Sequence, residues 1–308
     1  MRFEKWQALG NDYLIVERGE LPFELTPARI RRLCAGHFGV FADGVLLLSP
    51  PADGAHVADL RIFNPDGSEA ELSGNGAREA ILYLRRHGWT DRDSFSISTA
   101  AGEIRPTITG PDTCTVDMGR ARLRSEDFPG GPDDGRGAVM AAGRLWAFRH
   151  VSLGNPQCAI HVDSPQELAA LDLQAIGPAI EADAQFPNRT NVSWYTELDG
   201  RDEGPPVPPV SPVPSTPAAH TRRIRARIFE RGVGETLSSG TGASGAAVAY
   251  CSSHDGEPGP ARVTVVLDGG ELEVEVGEDL QVNLTGWARP VFAGRLSNEF
   301  TKELDETE

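Results

Sequence analysis

Two serines stand at matched points of a block that occurs twice. The first copy reads Arg61-Ile62-Phe63, then Glu69, then Ser73-Gly74-Asn75-Gly76-Ala77. The second reads Arg227-Ile228-Phe229, then Glu235, then Ser239-Gly240-Thr241-Gly242-Ala243, in the same register and without a gap. In each copy an apolar, strand-like run passes through a turn into Ser-Gly-x-Gly-Ala, and a helical pattern follows. A glycine-rich turn that opens a helix exposes backbone N–H groups at the positive end of the helix dipole, which suits an anion. Neither copy is GxGxxG or GxxxxGK(S/T), so a nucleotide phosphate has weak support. The plain alternative is structural: the glycines permit a tight turn and the serines cap the helices. Two copies in register, each with a polar residue after the phenylalanine (Asn64 and Glu230), favour a shared ligand site. A carboxylate held by two helix N-termini, with one side chain from each half on opposite faces, fits the pattern.

The surrounding elements must supply those two matched ends. Phe3 to Glu17 reads as strand, turn and strand around Gly10-Asn11-Asp12. Thr26-Pro27 reads as a cap followed by a proline at the first helical position, with the helix continuing to Cys34. Val45 to Leu48 and Leu60 to Phe63 suit strands, and Ala77 to His87 suits a helix ended by Gly88. Ser125 to Gly137 is rich in Gly, Pro and Asp and reads as a loop. The second half repeats the scheme: strands near 145–151 and 159–162, a helix from Ser164-Pro165 toward Ile180, strands at 191–195 and 223–229, and a helix over 243–250. Gly204 to Thr221 carries seven prolines and reads as an extended excursion. Strand patterns run to about Leu296, and an acidic tail follows through Glu308. Many short strands with one or two helices per half predict an α+β fold.

Bulk composition removes several function classes. The chain has 308 residues, a formal net charge of −16 and a pI near 4.9, which argues against nucleic acid or anionic membrane as a partner. The N-terminus has no long apolar stretch and no window reaches the ~18 apolar residues of a membrane span, so a cytoplasmic protein is expected. The four cysteines, Cys34, Cys114, Cys158 and Cys251, are far apart and read as free buried thiols. The seven histidines are dispersed, and no metal site is expected. His150 and His161, the five tryptophans and the Arg31-Arg32 and Arg85-Arg86 pairs read first as core, interface or solvated positions. Asp43 suits a turn as well as it suits the cleft.

The block then resembles a known family. Phe63-Asn64-x-Asp66-Gly67-Ser68-x-Ala70-Glu71-x-Ser73-Gly74-Asn75-Gly76 looks like the first signature of diaminopimelate epimerases, and Glu230 to Thr236 through Gly240-Thr241-Gly242 looks like the second. Leu9-Gly10-Asn11-Asp12, Gly39 to Leu48, Gly154-Asn155-Pro156 and Phe186-Pro187-x-Arg189-x-Asn191-Val192 extend the resemblance over nearly the whole chain. It implies two pseudo-symmetric halves, each a curled, mainly antiparallel sheet around a central helix, with the active site in the cleft between them. The halves would be residues 1–118, joined by a C-terminal strand 285–308, and residues 119–284, carrying the Pro-rich insertion 204–221.

The resemblance also implies a cofactor-independent isomerase of lysine biosynthesis, without pyridoxal phosphate or metal, in which two acid/base residues face one carbon. Carried over by position, these are Ser73 and Ser239. Gly74, Asn75, Gly240 and Thr241 would hold the substrate carboxylate, and Asn11, Asn64, Asn155, Gln157, Asn191, Glu230 and Arg231 the rest of an amino-acid-like substrate. A homodimer is compatible with this reading. The family's two acid/base positions are cysteines, whereas here both are serine. Gln157 stands where a histidine is usual, and Phe41 interrupts a run of small residues. A thiol titrates near 8.5 and water at about 15.7, so an alcohol is a base harder to form by something like 10 kcal/mol at about 1.36 kcal/mol per unit. Three readings follow: an epimerase with weakened acid/base chemistry, a repurposed isomerase, dehydratase or cyclase of specialised metabolism, and a non-catalytic amino-acid-binding homologue.

Overall fold

The structure, a computed structural model, describes residues 1–52, 54–198, 222–253 and 261–307. The Pro-rich segment 204–221 lies outside the described residues. The chain forms two compact units, one of residues 1–116 and 286–308 and one of residues 117–285. Among the described residues the fold is α+β, with two sheets and few helices.

In the first unit the sheet runs, in spatial order, Arg289–Arg295, Arg2–Ala8, Asn11–Glu17, Val45–Ser49, Asp59–Phe63, Ile97–Thr99 and Gly102–Ile104. Most pairs are antiparallel. Asn11–Glu17 with Val45–Ser49, and Asp59–Phe63 with Ile97–Thr99, are parallel. The first hairpin turns at Leu9 and Gly10, whose φ angles of 53° and 83° match the twist of two-residue hairpin loops. That turn sits one residue earlier than the sequence suggests, and it makes Asn11 and Asp12 the first residues of a strand.

The helix Gly74–Arg86 lies against this sheet, and every residue from Gly74 to Leu84 is buried. Thr26 caps Pro27–Cys34 as the sequence predicts. The predicted acidic tail is instead a helix, Asn298–Glu306, capped by Ser297. Phe300 and buried Leu304, one turn apart, dock it on the core cluster that includes Phe3, Leu14, Ile30 and Leu33.

The second unit repeats the plan. Its strands run Arg136–Ala141, Arg144–Ser152, Pro156–His161, Asn191–Glu197, Arg222–Glu230, Ala261–Leu267, Gly270–Val276 and Gln281–Trp287. Again two pairs are parallel, Pro156–His161 with Asn191–Glu197 and Arg222–Glu230 with Ala261–Leu267. The helix Gly240–Ser253 is buried from Gly240 to Tyr250. Its Gly, Ala, Ser and Thr content explains this, since a helix without a polar stripe buries all its faces. The helix predicted over 165–180 is two, Pro165–Ala170 and Leu173–Glu181. Leu171 adopts an extended backbone and the Asp172 side chain accepts from Ala175 N–H, so a fresh cap interrupts the apolar pattern.

Candidate active site

The repeated block folds the same way in both units. In the first, Asp59–Phe63 pairs with the short strand Glu69–Ala70, and Arg61 clasps Glu69 through two bonds of 2.9 and 2.8 Å. In the second, Arg222–Glu230 pairs with Gly234–Thr236, and Arg227 clasps Glu235 at 3.0 and 2.5 Å. Each hairpin then delivers a serine to a helix N-terminus. Ser73 Oγ accepts from Gly76 N–H at 3.1 Å, and Ser239 Oγ accepts from Gly242 N–H at 3.2 Å. The third residue of each helix must be small. A Cβ on Gly76 would lie 3.0 Å from Leu46, and one on Gly242 would lie 2.8 Å from Ile228.

The two caps differ in what else they touch. In the second unit Ser239 Oγ donates to Glu230 Oε2 at 3.0 Å, and Thr236 Oγ1 donates to Oε1 of the same carboxyl at 2.9 Å. Burial pushes the Glu230 carboxyl up from its ordinary value of 4.5, against the two hydroxyl hydrogen bonds, which pull it down. In the first unit Ser73 Oγ takes a hydrogen bond from the Tyr13 hydroxyl at 3.2 Å. Both lone pairs of Ser73 are therefore engaged, by Tyr13 and Gly76, and its own O–H is left as a donor. Ser239 has one lone pair engaged and its proton drawn toward a carboxyl. The two hydroxyls therefore differ in how many lone pairs are engaged and in whether the proton has a carboxyl partner.

The remaining residues of the sequence-derived set fall into two groups. In the first unit Asn75 Nδ2 donates to Asn11 Oδ1 at 3.3 Å, whereas Asn64 Nδ2 donates to Ser68 Oγ and steadies the turn at Asp66-Gly67. Gly74 and Asn75 open the first central helix, and Gly240 and Thr241 open the second. In the second unit Gln157 Nε2 donates to Asn155 Oδ1 at 2.7 Å, and Asn155 Nδ2 reaches Thr241 Oγ1 at 3.4 Å. Gln157 has no exposed surface, so it acts on Asn155 rather than on solvent-borne molecules. Asn191 spends its amide on backbone, donating to Pro156 O at 3.1 Å and accepting from Arg231 N–H at 2.8 Å. The Arg231 guanidinium donates to Asn188 O at 2.8 Å.

Sequence reasoning did not single out Tyr13 or Thr236. Tyr13 lies 60 residues from Ser73. Thr236 was within reach, because it precedes Ser239 in the hairpin that the repeat defines. No displaced thiol stands in for the serines. Burial lifts Cys34 and Cys114 to about 12, Cys251 to about 11 and Cys158 well above 9.0, so all four stay protonated.

Comparison with known proteins is consistent with this anatomy. The family model for diaminopimelate epimerase matches residues 3–124 and 149–290. The diaminopimelate epimerase of Synechococcus sp. (strain JA-3-3Ab) is 38% identical over 96% of this chain and 97% of its own. That of Pelotomaculum thermopropionicum is 37% identical over 96% and 98%. Among solved structures, the Bacillus anthracis phenazine biosynthesis protein of the PhzF family superposes with a TM-score of 0.66 at 17% identity, covering 96% of this chain and 99% of that one. A hydroxyproline epimerase from Agrobacterium vitis, with bound trans-4-OH-L-proline, gives 0.62 at 15% identity, covering 96% and 91%. These structures share the fold, and the sequence matches go further: the chain belongs to the diaminopimelate epimerase family.

Proposed function

We propose that the chain is a cofactor-independent isomerase that moves a proton at a carbon next to a carboxylate, with serine hydroxyls in place of thiols. Family membership makes it an isomerase of the diaminopimelate epimerase type. The proposed substrate is diaminopimelate or a closely related amino acid, with its carboxylate at the N–H groups of Gly74-Asn75 and Gly240-Thr241. Ser239 takes the α-proton as its own proton passes to Glu230, and the C–H electron pair stays on the substrate carbon. Ser73 then donates its proton to that carbon and is resupplied through Tyr13. Asn11, Asn64, Asn155, Asn191 and Arg231 hold the remainder of the substrate, and Gln157 acts through Asn155. We expect a cytoplasmic homodimer, which sedimentation velocity tests.

The observation that carries this reading is the 3.0 Å contact between Ser239 and the half-buried Glu230, whose carboxyl pKa desolvation raises. An alcohol becomes a usable base only when a second group accepts its proton in the same step. Proton NMR of the protein with L,L-diaminopimelate in D₂O tests it, run beside a Ser73→Cys/Ser239→Cys variant. Loss of the α-proton signal with the unaltered protein supports the reading. Exchange by the cysteine variant alone would show that the site grips this substrate but that serine is not its base. Absence of exchange with both would refute the assignment.

A second reading draws on the saturation of Ser73. With both lone pairs occupied, Ser73 orients and protonates but does not abstract. That suits a repurposed isomerase, dehydratase or cyclase whose substrate ionises more easily than an amino-acid α-carbon. One-sided proton removal, with exchange from a single configuration and no inversion, is its signature.

A further inference from the structure

The turn that carries Glu230 is held by a segment outside the repeated block. Glu230 ends the strand Arg222–Glu230, and Gly234–Thr236 turns back beside it. The three amides between the strands all have partners. Arg231 N–H donates to Asn191 Oδ1 at 2.8 Å, Gly232 N–H to Glu181 Oε1 at 2.7 Å, and Val233 N–H to Glu230 O at 3.0 Å. The last bond closes the turn on itself, whereas the first two go to side chains at either end of residues 181–191. The Glu181 oxygen that holds Gly232 also pairs with the Arg189 guanidinium. The Glu181 carbonyl accepts from Thr190 N–H at 3.0 Å, which ties the two ends of that segment together.

Glu181 sits where a carboxylate has little local reason to be. It is only 4% exposed, and it is the last residue of the helix Leu173–Glu181, at the negative end of the dipole. Burying a charge is unfavourable unless the group is both paired and hydrogen-bonded. Its counter-ion Arg189 has a φ of 61°, in the left-handed region that side chains rarely adopt. Two unfavourable local choices thus converge on one contact, the Gly232 N–H. Gly232 has a φ of 78°, which glycine adopts without strain. The same helix packs closely behind the strand. A Cβ on Gly177 would come within 2.6 Å of the Phe229 ring, so the helix backbone lies directly against the residue before Glu230. Local departures of this kind persist only where the surroundings hold them, and they gather at functional sites.

We propose that Glu181 is a positioning residue: by holding the Gly232 N–H it fixes the turn that keeps the Glu230 carboxyl on the Ser239 hydroxyl. The inference rests on the proposed function, in which Glu230 receives the Ser239 proton. Glu181 acts through the backbone of the turn and needs no contact with the substrate.

Variants of the whole chain test the clamp, with L,L-diaminopimelate as substrate. Glu181→Ala removes the acceptor, and kcat is expected to fall about 10- to 100-fold with KM within about threefold, the effect of a reacting group displaced by ~1 Å. Glu181→Gln keeps an amide oxygen for the Gly232 N–H and should recover kcat to within about threefold of the unaltered protein. In a Glu230→Gln background, Glu181→Ala should lower kcat by less than about twofold, because the group it positions is already gone. A second measurement needs no substrate. In protein labelled with ¹³C at the glutamate carboxyls, the Glu230 signal is assigned by its loss in Glu230→Gln. It should titrate at lower pH in Glu181→Ala than in the unaltered protein, since a released turn lets water reach a carboxyl that desolvation had raised.

A Glu181→Ala protein that melts lower yet keeps kcat within about threefold would overturn the proposal. So would a kcat loss undiminished in the Glu230→Gln background, a Gln variant as impaired as the Ala variant, or an unmoved Glu230 titration. If Glu181→Ala does not fold, Gly232→Ala is measured against the same kcat, background and titration expectations. It strains the same turn at a φ of 78°, in open space, and leaves Glu181 in place. Should the unaltered protein not act on diaminopimelate, the proposed function fails, and the ¹³C titration alone decides the clamp.

Discussion

Replacing Glu230 by glutamine takes away a proton acceptor and leaves almost the same outline. The amide oxygen of the variant can still accept from one of the two hydroxyls, which donate to separate oxygens at 2.9 Å (Thr236) and 3.0 Å (Ser239) in the native arrangement. The other hydroxyl accepts from the amide NH2. What the amide cannot do is keep the proton. A positioned general base is worth about 10²- to 10⁴-fold, or roughly 2.7–5.4 kcal/mol at about 1.36 kcal/mol per tenfold. The upper part of that range is expected here, because an alcohol left without a partner titrates far above neutral pH. Each unit by which burial lifts Glu230 narrows the gap to the serine by about 1.36 kcal/mol, and that gain disappears with the carboxyl.

Stability should move differently from rate. The folded pKa of Glu230 is raised above 4.5, so its favourable contribution is full below 4.5 and is lost as pH rises through the folded value. At pH 8 the glutamine variant should therefore melt no lower than the native protein. The assay is α-proton exchange of L,L-diaminopimelate in D₂O, followed by proton NMR from pH 5 to 9, with thermal melts by circular dichroism. The native rate should fall on the acid side as Glu230 protonates, and the variant should lack that limb. A variant that melts normally and keeps its exchange rate within about threefold would refute a Ser239–Glu230 base.

Further outcomes follow from other contacts. Ser73→Cys/Ser239→Cys should exchange the α-proton faster than the native protein, yet lose about 1 kcal/mol of stability per cap, because sulfur replaces the oxygen that accepts from Gly76 and Gly242, as a melt would read. Glu79 is fully buried and its carboxyl is pushed well above 4.5 by desolvation, so Glu79→Gln should flatten the loss of stability above pH 4.5 and be the more stable form at pH 8 in urea titrations. Arg227→Ala should destabilise by about 2–3 kcal/mol and Arg61→Ala by under about 1, measured by chemical denaturation. The reason is that Arg227 also holds the carbonyls of Leu168 and Leu171, while the Arg61 side chain is half exposed.

The repeated block was readable because its parts are local: hairpin, clasp, cap and helix lie within a short stretch, and each residue type has a mechanical reason. Thr26-Pro27, Ser73 and Ser164 announce helix starts in the same way. The break at Leu171-Asp172 was hidden because the apolar pattern continues through it while a cap side chain resets the backbone. The C-terminal helix carried its own signal in Ser297 and the Phe300–Leu304 spacing, masked by acidic residues that read as solvated tail. The contacts of Tyr13 with Ser73, and of Glu181 with Gly232, join residues brought close only by the tertiary fold. No spacing rule along the chain reveals them. Glu230 was marked by its place in the repeat, but its burial and its hold on Ser239 were not.

The placing of the strand Arg289–Arg295 has a consequence for synthesis. It pairs with Arg2–Ala8 and forms the edge of the first sheet, yet it is translated after all of the second unit. The 280 residues between the two strands (9–288) take about 14–56 s to make at the usual ~5–20 residues per second. Throughout that interval the N-terminal strand has an unpaired flank, open to partners on other nascent chains. Glu4 and Lys5 give the strand itself charged side chains, which discourages wrong pairing until its own last strand arrives.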